Sequence, residues 1–96
     1  MTFSFHPEAE TEFIEAVSYY EDREPGLGYD FSIQVFGAIQ NIVTYPNAWP
    51  VVEDGIRRCL VNRFPYGVIY SIEGKEALIL AVMHLRRHPG YWKNRY

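Results

Sequence analysis

Apolar residues recur at helical spacing through the first half of the chain and at strand spacing through the second. Phe3 and Phe5 alternate with Thr2 and Ser4, which predicts a short strand over Thr2–Phe5. Ala9, Phe13, Ala16, Val17 and Tyr20 then share one face of a helix. Pro7 suits its first turn, and Glu8, Glu10 and Glu12 complement the positive end of its dipole. Pro25-Gly26-Leu27-Gly28 interrupts the pattern. Phe31, Val35, Ala38, Ile39 and Ile42 form a second helical stripe that stops before Pro46. Two amphipathic helices joined by so short a break make an αα-hairpin.

Pro46-Asn47-Ala48-Trp49-Pro50 reads as a rigid connection, and beyond it the period changes. Ile56–Asn62, Tyr66–Glu73 and Ala77–Met83 are the expected strands, the last two joined by a tight turn at Glu73-Gly74-Lys75-Glu76. Val68, Tyr70 and Ile72 alternate with Ile69, Ser71 and Glu73. Ala77–Met83 is apolar throughout, which predicts a central strand covered on both faces. Pro89-Gly90 turns the chain into a short polar tail. The expected fold is one α+β domain over residues 1–96, ordered β-α-α-β-β-β. Its helical hairpin packs on a small, mostly antiparallel twisted sheet.

Composition narrows the setting. Ninety-six residues suit a single domain, and an apolar fraction of 48% can fill its core. The single cysteine, Cys59, excludes an internal disulfide and fits a reducing compartment; its apolar surroundings predict a small buried hydrophobe. Residues 1–20 lack the apolar run of a signal peptide, and no segment reads as a membrane span, so the expected location is the cytoplasm. The net charge of −3 conceals a split. Met1–Asp54 holds one basic residue against ten acidic ones, whereas Gly55–Tyr96 holds eight basic against two acidic. Such a split predicts an acidic surface on one side and an anion-facing surface on the other.

The candidate chemistry lies in the basic half. His84, Arg86, Arg87, His88, Tyr91, Trp92, Lys93 and Arg95 crowd the segment after the last strand, and Arg57, Arg58 and Arg63 lie on or beside the first strand of the meander. Arginine forks bind phosphates and aromatic rings stack on splayed bases, so Arg57, Arg58, Arg63, Trp92 and Arg95 are candidate target or nucleic-acid contacts. The same tail could instead fold back with Trp92 as a plug in the core. Two histidines among four cations make a poor trap for a divalent ion, and no metal site or cofactor is expected. Metal-free RNA cleavage would need a base, an acid and a charge at the phosphorane. His84 or His88 could move the protons, and Arg86 or Arg87 could carry the charge.

The run Arg57-Arg58-Cys59-Leu60-Val61-Asn62-Arg63-Phe64-Pro65-Tyr66-Gly67-Val68-Ile69-Tyr70 and the closing Val82-Met83-His84-Leu85-Arg86-Arg87-His88-Pro89-Gly90-Tyr91-Trp92 resemble the RelE/ParE superfamily of toxins, which includes plasmid-stabilisation proteins. The resemblance implies a toxin held in a hetero-oligomer by a cognate antitoxin that wraps over the helices and sheet, with Phe13, Val17, Tyr20, Phe31 and Val35 as expected contacts. Glu12, Glu15 and Glu21 could pair with basic residues of that partner. RelE-like members cleave mRNA on the ribosome, a role that would fall here to His84, Arg86, Arg87, His88 and Tyr91. ParE-like members act on DNA gyrase. Gly67 stands where RelE-like nucleases commonly carry an arginine, which favours the ParE-like branch. An mRNA endonuclease is the alternative, and an inert antitoxin-binding module the second alternative.

Overall fold

The helical stripes mark α1 (Pro7–Arg23) and α2 (Leu27–Thr44) in the computed structural model, which describes residues 1–96. His6 caps α1, its ring Nδ1 accepting from the Glu8 backbone N–H at 3.1 Å. The hairpin between the helices closes on Gly28. A Cβ there would lie 2.5 Å from the Val17 carbonyl oxygen, so only glycine lets the helices approach so nearly. The Glu21 carboxylate accepts from the Gly26 and Gly28 N–H groups at 2.9 and 3.0 Å and so satisfies the start of α2.

Five strands form the sheet: β1 (Thr2–Phe5), β2 (Val51–Glu53), β3 (Ile56–Leu60), β4 (Tyr66–Glu73) and β5 (Glu76–His84). They lie in the order β1-β5-β4-β3-β2, with β1 parallel to β5 and every other pair antiparallel. The two-layer α+β architecture is as expected, and β2 is an addition to the expected order. Its three residues are too short to show an alternation, and its signal is the Asp54-Gly55 pair, where Gly55 takes φ 71° in the turn to β3. The first meander strand also ends at Leu60 rather than Asn62, because Arg63 takes φ 72° and turns the chain toward β4.

The core has two parts, one on each face of the sheet. Between helices and sheet lie Phe31, Val35, Ile39, Ile42, Val68, Tyr70, Ile79 and Val82, among others. On the outer face Ile56, Ile69, Leu80, Ala81 and Met83 pack around Trp92. The expectation that Ala77–Met83 is covered on both faces is thus met, and the chain's own tail provides the outer cover. A β-bulge in β5 shifts the facing of its second half. Tyr70 lies opposite Ile79 but Ile69 lies opposite Ala81, so Leu80 is the extra residue. Leu80 and Ala81 both join the outer cluster, Val82 returns to the helix side, and His84 follows it there.

Candidate functional site

The residues expected to act fall into two regions, one at each side of the sheet. At the first, β1 stops at Phe5 and β5 runs on without a neighbour. Side chains take over its open backbone groups: the Val82 N–H donates to Glu12 Oε1 at 3.1 Å, and Arg95 Nη1 donates to the Leu80 carbonyl at 3.0 Å. Arg95 also grips Glu12 through both carboxylate oxygens, at 3.0 and 3.1 Å, with both side chains nearly buried. Its Nε lies 3.3 Å from Glu8. Burial opposes the charge on Arg95, but Glu12 outweighs it and holds the guanidinium pKa above its ordinary value.

Two more residues of the basic tail, Arg87 and Tyr91, join this lock. Arg87 stacks 3.8 Å above the Tyr91 ring and sits 3.6 Å from Glu12. The Tyr91 hydroxyl is buried without a hydrogen-bond partner, and burial, then the Glu12 carboxylate, push its pKa well up. Trp92 is 4% exposed. Further along, Lys93 Nζ lies 3.1 Å from Glu53 and the Tyr96 hydroxyl donates to the same carboxylate at 2.6 Å. Those two bonds hold the Glu53 carboxyl below its ordinary pKa.

His84 sits beside a hollow of about 240 Å³ with Glu12, Glu15, Tyr19, Tyr66 and Arg87. Its ring meets Tyr66 edge-on at 5.1 Å, and its Nδ1 accepts from the Arg86 N–H at 3.1 Å. His88 is exposed in the following loop. The structure therefore gathers His84, Arg87 and Tyr91 around Glu12 and leaves His88 and Arg86 outside. The position of Glu12 at the centre was missed, because it belongs to a helix far away in sequence.

At the second region the placements differ from expectation. The Arg57 Nη1 donates to the Asn47 and Trp49 carbonyls at 3.1 and 2.7 Å and pins the connection before β2. Arg63 lies 3.9 Å from Asp30. Arg58 alone of the three has neither an ion pair nor a side-chain hydrogen bond, and its stem lies over Gly67, where an added Cβ would meet it at 3.2 Å. Phe31 and Val35 are wholly inside the helix–sheet core and form its interior rather than an outer contact face, whereas Phe13, Val17 and Tyr20 pack against that core and are only partly buried. The large apolar or aromatic residues the helices do expose are Ile14, Tyr19, Tyr29, Ile33 and Phe36. Between α2 and β3 lies a cleft of about 640 Å³, bordered by Gln34, Gly37, Ala38, Asn41, Trp49, Cys59 and Leu60. Burial pushes the Cys59 thiol up to about 11, which makes it a packed hydrophobe at neutral pH.

No group of three or more His, Cys, Asp or Glu side chains is placed to hold a metal ion. With its tail bound back over the sheet, the molecule is a small two-layer α+β domain whose main unfilled features are a cleft and exposed apolar helix positions. The sequence matches the ParE toxin family of type II toxin-antitoxin systems, parDE, over residues 3–89, and the chain belongs to that family. Seven chains of solved structures are similar. One is from the chromosomal ParDE toxin–antitoxin system of P. aeruginosa, with a TM-score of 0.62 at 16% identity over 90% of this chain and 97% of that one, a likeness of fold. No curated protein matches the sequence.

Proposed function

We propose that this chain is the toxin of its pair, acts in the cytoplasm, is neutralised by a cognate antitoxin, and inhibits growth by binding DNA gyrase rather than by cutting RNA. The observation that carries this reading is the internal engagement of the tail. Arg95 is bound to Glu12, Arg87 lies between Tyr91 and Glu12, and the Tyr91 hydroxyl is buried. Groups committed in this way are not free to surround a phosphorane, and the carboxylate among them would repel one. Gly67 adds to this, since the cation that a RelE-like site would place on β4 is absent. No helix is long and apolar enough to cross a membrane, which suits a target in the cytoplasm. Arg58 and Arg86 have no ion-pair partner, and Leu85 lies beside Arg58 over Gly67, so we assign these three to the target contact.

Expression without the partner tests the proposal. Induction of the DNA-damage response with trapped gyrase–DNA complexes is the expected outcome. Ribosome-dependent mRNA cuts that disappear in Arg87→Ala/His88→Ala would establish the endonuclease instead. Growth without any defect would leave an inert binding module.

A further inference from the structure

β1 ends the sheet on the side away from β2, and its outer edge is bare. Thr2 donates to the Lys75 carbonyl at 3.3 Å and His6 to the Ile79 carbonyl at 2.8 Å. Alternate residues of a strand bond to one neighbour, so Thr2, Ser4 and His6 face β5. The N–H and C=O groups of Phe3 and Phe5 therefore all turn outward. Edge strands are ordinarily protected by a charge, a proline or a bulge, and Thr2–Phe5 has none of these. On its helix side the strand heads a run of four rings. Phe3 meets Phe5 at 6.0 Å, Phe5 stacks on Phe13 at 5.9 Å, and Phe13 meets Phe36 edge-on at 5.4 Å. The end rings, Phe3 and Phe36, are 39% and 45% exposed.

We propose that this edge takes a second copy of the chain: the two first strands pair antiparallel about a two-fold axis at Ser4, joining the five strands of each copy into one sheet. The bonding sets the register. With Ser4 opposite Ser4 of the second copy, each Phe3 faces a Phe5, and such a pair exchanges both of its backbone hydrogen bonds. Within Thr2–Phe5 this is the register that pairs every outward group. A copy fits because the strand is its own complement. It is uncharged, and the antiparallel pair sets rings against rings on one face and hydroxyls against hydroxyls on the other. Its two ends differ in charge, with Lys75 beside Thr2 and Glu8 just past His6, so the pairing brings each Lys75 toward the Glu8 of the other copy. Glu76, next to the strand, is already engaged by Ser4 Oγ at 2.9 Å. Phe3 and Phe36 supply the apolar area to be buried at the seam. The contact uses the same edge of both copies, so it closes as a dimer and does not propagate. Arg58 lies three strands away on β3, which leaves a free target-contact surface on each copy. This seam goes beyond the toxin reading and does not depend on it.

Cross-linking reads the register. Ser4→Cys sets two thiols in a non-hydrogen-bonded pair, with Cα atoms about 4.5 Å apart and so within disulfide range. The native Cys59 is buried and does not compete. Mild oxidation should convert Ser4→Cys to a covalent dimer, whereas Thr2→Cys, opposite His6, should stay uncross-linked. Two variants test the contact itself. Phe3→Pro deletes an outward N–H and leaves the bonds of Thr2 and Ser4 to β5. Phe36→Glu places a carboxylate from each copy beside the seam without altering the strand, should the proline disturb folding. In sedimentation equilibrium the wild type should dimerise reversibly, and either variant should weaken the dimer about tenfold or more, with circular dichroism unchanged. A wild-type chain still monomeric at about 1 mM overturns the seam. So does a dimer that resists both variants and gives no Ser4→Cys cross-link. If Ser4→Cys cross-links only to the product of the adjacent open reading frame, the edge takes a different chain and the second copy falls.

Discussion

The two sides of the sheet leave backbone groups unpaired in the same way and resolve them differently. Where β5 outruns β1, Glu12 and Arg95 cap the exposed Val82 N–H and Leu80 carbonyl, and a tail anchored by Trp92 lies alongside. Where β3 outruns β2, Pro50 ends the pairing, and the Leu60 carbonyl is met only by the Cys59 thiol at 3.8 Å. A sheet edge left bare is a hazard for aggregation unless it is blunted or reserved for a partner. The sealed side explains where the basic half of the chain directs much of its charge, which is inward to the acidic half.

The contrast is broken most severely from the sealed side. Glu12→Ala strands a nearly buried guanidinium and uncaps Val82, and should cost about 3–5 kcal/mol in urea unfolding. A double-mutant cycle with Arg95→Met should recover a large part of that loss, and simple additivity would show that the pair is not the seal. Alkaline pH probes the strand at the open side. Cys59 has its thiol pKa raised from 9.0 to about 11, so the folded state keeps a proton that the unfolded state releases. Its contribution is complete below pH 9.0 and is lost as pH rises toward 11; Cys59→Ala should flatten that part of a stability–pH curve. Gly67→Ala should cost about 1 kcal/mol or less, since only the flexible Arg58 stem must give way. It should shift target binding more than the melting temperature. Smallest is the exposed Glu53 latch. Its carboxyl pKa is depressed by Tyr96 and Lys93, so its contribution is present above the ordinary value of 4.5 and fades as pH falls below it. Glu53→Gln should remove that acid-side slope in thermal melts with little change at neutral pH.

The hairpin and the meander were legible because each places apolar residues at a single period that one buried face requires. The same stripes misdirected the assignment of a contact face: Phe31 and Val35 repeat at helical spacing because they fill the core, and periodicity does not separate a core from a docking face. The bulge at Leu80 was hidden for the opposite reason, since an unbroken apolar run from Ala77 to Met83 carries no phase to slip. β2 was hidden by its length, although Asp54-Gly55 marked its turn. The tail's role depended on Glu12, whose contact with Arg95 is set by tertiary packing and has no local signature. Of the candidate residues, those near the strand ends were found from composition, but their state, engaged or free, follows only from what lies across the sheet.

The parallel pairing of β1 with β5 also has a consequence in time. Thr2 meets Glu76, so the first strand made must wait for almost the last, and closing so long a loop is an entropic step that local contacts cannot hasten. The helical hairpin can form early, but the seal of Glu12 and Arg95 cannot exist until β5 is in place. Assembly of this fold is therefore a late event in the life of the chain, and β3 and β4 can pair while the opposite side is still unmade.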